Sequence, residues 1–491
     1  MNITSNKSSK IRISIIFFVS SLIFIFFYSI STSPLYSTYG EDSAVFQTIG
    51  KYWTEGGVRS FIPYLDMFDH KGPLIYLIDA VGYRLTGDKN GILFIQAISI
   101  SIFCVCIYKI GRTELSERSA ILWTLVNLFF LASCYEDGNL TEEYALPFIT
   151  YSLYCIYLYC RTVCMDEKIV YDHKPRCALI YGLTFGVCLM TRVTNALSVC
   201  IGVLTITSVL VITRKWKNLL QNVIGFIVGL LLIIVPFMIY FGLHGAIYEF
   251  WYGTLLYNLD YVNAGSWIWQ QDVSYIKLVA YVIYILFCCV PMTIAGVIIL
   301  YKRMYAKGVF MLLTGLSSIL YLISSNTYRH YSIIMIPYFI LTICEIKRLR
   351  STIIKRYILL LLLVLALSSG MASTGIMIIS NLRPQNKGYD ELLSYIPDTE
   401  MESVIGYNMP SGMYLDYDIA PYYAYFHHQD WMGEKSPALM EKIRETFREG
   451  TVKWILVKGD FVGIQDILDS KYIFIKCYSD GSSIEKLYRK K

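Results

Sequence analysis

Two neighbouring acids, Glu41 and Asp42, stand shortly after the first strongly apolar run of the chain. The stretch PYLDMFDHKGPL (63–74) then brings Tyr64, Asp66, Asp69, His70 and Lys71. A carboxylate within hydrogen-bond reach of a hydroxyl takes its proton as the oxygen attacks, and cations hold the charge of a departing oxyanion. Acids, an imidazole and an ammonium in one connection are therefore the parts needed to transfer a group onto an alcohol. Further along, YEDGNLTEEYALPF (135–148) adds Glu136, Asp137, Glu142 and Glu143, MTRVTN (190–195) adds Arg192, and NTYRHY (326–331) adds Arg329 and His330. The planar guanidinium fork matches phosphate oxygens, which makes Arg192 and Arg329, with Lys71 and His330, candidate phosphate ligands.

Each of these residues also has a plainer explanation. Asp42 suits a helix N-terminus, where it caps and complements the dipole. The acids of 136–143 would equally form a solvated face, arginines near lipid snorkel to headgroups, and a lone histidine is commonly just hydrogen-bonded. His70 either pairs with Asp69 or contacts a sugar. Four ionisable residues within 66–71, at the foot of a helix that Pro73 can start, exceed what anchoring requires.

The elements that must position these groups are membrane helices. The chain has 491 residues, 55% hydrophobic and 16% charged, with a mean hydropathy of +0.48. These values exclude an ordinary soluble protein. The net charge of +6 is too modest to imply nucleic acid. A span needs roughly 20 apolar residues, and such runs fall near 13–32, 91–110, 120–135, 144–162, 177–191, 195–213, 219–243, 275–300, 309–324, 332–346 and 357–380. About eleven spans are thus expected. The first follows Lys7, Lys10 and Arg12 like a signal sequence but lacks a small-residue cleavage site, so it is expected to be a retained anchor.

Lys and Arg concentrate in alternate connections: 109–118, 161–176, RKWK at 214–217, 302–307 and 347–356. The positive-inside rule therefore places the N-terminus in the cytoplasm. It puts the acids outside, leaving Arg192 and Arg329 as outer exceptions. The Tyr- and Trp-rich stretch 244–272 reads as an aromatic belt or as a loop covering a lipid-linked sugar. Spacing of Val45, Phe46, Ile49, Tyr52 and Trp53 predicts an amphipathic helix in the membrane interface. Thirteen scattered cysteines without metal-type spacing read as apolar packing residues.

After residue 380 the composition becomes that of a soluble domain. Strand-like runs at 403–407, 453–459, 472–479 and 482–488 surround a helical pattern at 436–450, and Asp480-Gly481 signals a hairpin turn. The stretch 414–431, rich in Tyr and His, either faces the site or packs this domain. The fold class expected is an α-helical polytopic membrane protein with a small C-terminal extracytoplasmic α/β domain. Its division is 1–380, carrying interfacial helices within the first outer loop (33–90), and 381–491.

The order of a span, Glu41-Asp42, an amphipathic helix and PYLDMFDHKGPL resembles the polytopic GT-C glycosyltransferases of the protein-mannosyltransferase and aminoarabinose-transferase type. The resemblance implies an inverting hexosyl- or pentosyltransferase, with a polyprenyl-phosphate-linked sugar as donor and an envelope glycan, lipid or protein as acceptor. It implies Asp42 as catalytic base, Glu41, Asp69 and Glu143 beside it, and Arg192, Arg329, Lys71 and His330 on the donor phosphate. Asp66, His70, Glu142 and Tyr64 are then left for the acceptor or sugar. Hard oxygen ligands suit Mg²⁺ or Mn²⁺, with Asp42 and Glu143 the candidate pair, though not every relative using a monophosphate donor needs a metal. With no eukaryotic retention signal in the sequence, the resemblance also points to a bacterial cytoplasmic membrane. The competing classes are a lipid or glycan transporter, which would hold its charges near the bilayer midplane, often within repeated halves, and an inactive lipid-binding relative.

Overall fold

The computed structural model describes residues 3–54, 61–165, 171–259, 275–325, 328–349, 351–381, 387–421, 423–449, 452–481 and 483–491. The glycines 56–57 and most of the aromatic stretch beyond 259 lie outside these residues. The first nine helices are α1 (Ile3–Tyr28), α2 (Glu41–Thr54), α3 (Pro73–Thr86), α4 (Asn90–Gly111), α5 (Glu117–Leu131), α6 (Thr141–Met165), α7 (Pro175–Leu189), α8 (Leu197–Ile212) and α9 (Trp216–Leu243).

Among the described residues, eight helical segments are long and apolar enough to cross a membrane. They are Ser9–Tyr28, Asn90–Gly111, Val193–Ile212, Trp216–Leu243, Tyr281–Tyr301, Tyr305–Ser324, Arg329–Lys347 and Thr352–Ile379. The three remaining apolar runs of the sequence are helical as well, as α5, α6 and α7. Two of them have only 15 residues, and α6 carries Glu142 and Glu143 in its first turn. Every expected run is thus a helix, and eight meet the length and hydropathy of a span.

Compactness divides the chain elsewhere than at residue 380. One unit comprises 1–35, 92–238 and 265–379; the other comprises 36–91, 239–264 and 380–491. In unit 1, Arg329–Lys347 is the core helix, 89% buried, whereas Trp216–Leu243 and Thr352–Ile379 are 17% buried, as lipid-facing helices would be. Gly182 and Gly186 on α7 meet Gly225 and Gly229 on α9, and a methyl on Gly182 would strike the Phe226 carbonyl. Small residues at this spacing let two apolar helices approach backbone to backbone. The described cysteines are free and mostly buried.

Unit 2 is built on a four-stranded sheet, order β1-β2-β4-β3, from β1 (Val404–Tyr407), β2 (Trp454–Lys458), β3 (Tyr472–Ser479) and β4 (Ile484–Lys490). The β1–β2 pair is parallel, so it needs a crossover, which includes the helix Pro437–Glu449. β3 and β4 form the hairpin signalled by Asp480-Gly481, with Gly481 at φ +83. Phe68 enters the core of this domain beside Tyr257, Ile405, Tyr407, Met432 and Ile455. Its backbone N–H donates to Ala424 O at 2.8 Å.

The interfacial character expected of α2 gives way to burial. Residues Ser43–Gly50 are buried all round, because the polar side of the helix finds protein partners. Tyr83 donates to Gln47, Thr48 to the carbonyl of Ala44, and Lys51 pairs with Asp418 at 2.6 Å. Gly50 lets α2 close onto Tyr76–Ala80 of α3.

Candidate active site

In unit 2, α2 starts at Gly40, whose carbonyl accepts from Ala44 N–H. Glu41 and Asp42 therefore occupy the first turn, where the helix dipole favours negative charge. Glu41 is exposed and Asp42 half-buried. The next part is a locked turn. Tyr64 takes φ +70, a conformation costly for a bulky side chain, and is held there because its N–H donates to Met67 O and its hydroxyl to Lys71 O. Asp66 closes the same turn by accepting from Ile62 N–H at 2.7 Å. Gly253 packs against Tyr64 and the Asp69 carbonyl, where a side chain would collide. Tyr64 and Asp66, expected on the acceptor, are thus spent on local structure.

The turn aims three residues into a chain of contacts. Asp69, 2% exposed, accepts from Tyr76 hydroxyl at 2.7 Å through one oxygen and faces His70 Nδ1 at 3.0 Å through the other. His70 Nε2 lies 2.9 Å from Lys71 Nζ. An ammonium can only donate, so Nε2 is the acceptor and the ring proton belongs on Nδ1, facing Asp69. Burial, with Lys71 adding to it, lowers the His70 pKa, so the ring is a neutral link between carboxylate and ammonium. Burial works to raise the Asp69 pKa, but His70, His427 and Lys71 outweigh it and hold the carboxyl well below the usual carboxylate range. The Asp42 carboxylate is close enough to act on His70, favouring its charged form.

Residues that sequence reading did not assign complete the group. Asn258 donates to His70 O at 2.7 Å, and Tyr257 and Trp431 pack against the His70 ring. His427 lies 3.1 Å from Phe68 O through Nε2, and burial pushes its pKa down to about 3. The aromatic and His-rich composition of 414–431 was the available signal for Trp431 and His427. The segment does both things expected of it, packing the domain and facing the cluster.

Unit 1 holds the other candidates as ion pairs. Glu142, 1% exposed, faces Arg192 at 3.0 Å and accepts from Thr141 at 2.9 Å. The Arg192 guanidinium lies 3.6 Å over the Tyr331 ring. In the turn before α6, Glu136, Gly138 and Asn139 take positive φ. This turn brings Glu136 to the Arg329 backbone N–H at 2.8 Å and to His330 Nδ1 at 2.5 Å. Burial works to raise the Glu136 pKa, and His330 and Arg329 hold it below the usual range. Glu143 is fully buried and accepts from Gln96 and Asn139 N–H. Gln96, missed by the sequence reading, is therefore the side chain that orients it. Among the described residues no group of three or more His, Cys, Asp or Glu converges as a metal site.

Residues 70–241 match the family described as dolichyl-phosphate-mannose-protein mannosyltransferase. No curated protein matches the chain. Among solved structures, ArnT from Cupriavidus metallidurans, bound to undecaprenyl phosphate, is similar with a TM-score of 0.58 and 12% identity over 96% of this chain and 97% of that one. The Archaeoglobus fulgidus oligosaccharyltransferase tethered with an acceptor peptide matches at 0.53 and 11% identity, covering 97% and 73%. Archaeal AglB from the same organism, in complex with an inhibitory peptide and a dolichol-phosphate, matches at 0.51 and 12% identity, covering 98% and 74%.

Proposed function

Taking as premise that the chain has the fold of the GT-C glycosyltransferase superfamily, we propose that it transfers a sugar from a polyprenyl-phosphate donor to an envelope acceptor. One observation carries this reading. A half-buried carboxylate, Asp42, heads a rigid helix within electrostatic reach of the Asp69–His70–Lys71 chain.

In the proposed step the acceptor hydroxyl attacks the anomeric carbon as Asp42 takes its proton. The bond from that carbon to the phosphate oxygen breaks on the opposite face, inverting the centre, and the electron pair leaves with the polyprenyl phosphate. Lys71 supplies positive charge to that oxygen. Asp69 and His70 are positioning residues, because they fix the ammonium rather than face outward. The reading gives Arg192, Arg329 and His330 to the donor phosphate, which would replace Glu142 and Glu136 as their anionic partner. Glu143, held by neutral donors, orients without charge competition. No metal is written into the step; Mg²⁺ or Mn²⁺ remains a proposal for Asp42 and Glu143. The positive-inside pattern supports a cytoplasmic N-terminus and an extracytoplasmic C-terminal domain.

The test compares reconstituted wild type with Asp42→Asn, supplied with radiolabelled polyprenyl-phosphate sugars and crude envelope acceptors, with donor binding followed separately. Transfer lost in the variant while donor binding persists is expected. Transfer that survives the substitution would remove Asp42 from the role.

A further inference from the structure

A cleft of about 430 Å³ opens beside the head of α2, within the range of small-ligand sites. Its walls include Tyr39 and Glu41 before and in α2, Lys387 and Tyr389 at the helix Gly388–Leu393, and Lys458 and Glu485 from β2 and β4. All belong to unit 2.

Glu485 is the telling residue. It stands opposite Lys458 across the β2–β4 register and is 5% exposed, yet its Oε2 has no hydrogen-bond partner. Gly388 makes the space beside it, since a methyl there would lie 2.5 Å from that oxygen. A buried acceptor atom without a donor is costly, and a ligand offering O–H or N–H relieves the cost. Tyr39 and Tyr389 add flat apolar faces that suit the C–H face of a sugar ring. Carboxylates of Glu41, Asp480 and Glu485 line the same cleft, which disfavours an anionic ligand. Lys387 does not offset them, because Asp416 and the Ser37 carbonyl already hold its ammonium.

We propose that this cleft binds the acceptor as an uncharged or amino-bearing saccharide, Glu485 Oε2 accepting from a hydroxyl or ammonium, with Glu41 at the wall nearest the proposed base. The assignment rests on the transferase reading for the word acceptor, and on the cleft alone for saccharide binding.

The probes are cellotetraose, maltotetraose, mannotetraose and the glucosamine tetramer, titrated by saturation-transfer NMR into the detergent-solubilised full chain, with undecaprenyl phosphate binding measured on the same preparation. At least one saccharide is expected to bind saturably, roughly tenfold more weakly in Glu485→Gln and severalfold more weakly in Tyr39→Ala. Melting temperatures of the variants show whether they fold. No saturable binding, or binding unaltered in both folded variants, overturns the cleft. If undecaprenyl phosphate still binds in that case, the transferase reading stands without it. Saccharide binding without undecaprenyl phosphate binding keeps the cleft and removes the transferase.

Discussion

Unit 1 and unit 2 bury acids in opposite ways. In unit 1, Glu142 meets Arg192 directly and Glu136 meets Arg329 and His330. In unit 2, Asp69 reaches Lys71 only through the neutral ring of His70. A direct pair cancels its own charge and has little left for a third group. A relayed pair separates the charges, so an ammonium and, through Asp42, a carboxylate are left facing the same place. The difference shows how charged side chains near lipid divide between holding a bundle together and doing chemistry.

The largest expected effect tests the chemical side of this contrast. Asp42→Asn should lower transfer by about 10²–10⁴-fold, the range of a general base, in the radiolabel assay, with melting temperature unchanged. Glu142→Ala should instead act on stability, by about 3–5 kcal/mol, because it leaves Arg192 buried without its anion. Thermal unfolding in detergent measures this, and Glu142→Gln with Arg192→Met should recover most of the loss. If Glu142→Ala leaves the melting point intact, unit 1 is not held by direct pairing.

Acid should then find unit 2 through His427. Folded His427 stays neutral down to about 3, whereas an unfolded histidine protonates near 6.5. Between those values the unfolded state holds the extra proton. Stability present above about 6.5 is therefore lost as pH falls, by about 1.4 kcal/mol per pH unit. Asp69, held low, adds its own loss below about 3.9. Tryptophan fluorescence melts across pH 7 to 4, with and without His427→Gln, would check the slope. The smallest effect belongs to Lys51→Ala. Its partner Asp418 is 75% exposed, so the melting curve should shift by under about 1 kcal/mol.

Much of the framework was legible because it is local. Length and hydropathy mark apolar helices, Pro73 marks the start of α3, and Asp480-Gly481 marks the hairpin. The membership of unit 2 was not legible. Spacing made α2 look one-sided because its polar face is satisfied by Tyr83 and Asp418, which only the fold brings near. The acids and cations of the site were visible by type, but their partners were not. Nothing local says that Arg192 faces Glu142, or that Tyr64 and Asp66 serve their own turn. The cleft was hidden for the same reason, since Tyr39, Gly388 and Glu485 meet only through the sheet.

Phe68 completes the core of a domain whose strands are made at the end of the chain, and His427 reaches it across 359 residues. Closing so long a loop is entropically slow. During synthesis the segment 64–71 must therefore wait, unsupported, until the last strand leaves the ribosome. A chain cut short before β4 keeps its apolar helices but lacks the core that sets Asp69, His70 and Lys71 in order. Catalytic competence is then a property acquired last, which protects a membrane from half-made copies acting on its lipid-linked sugars.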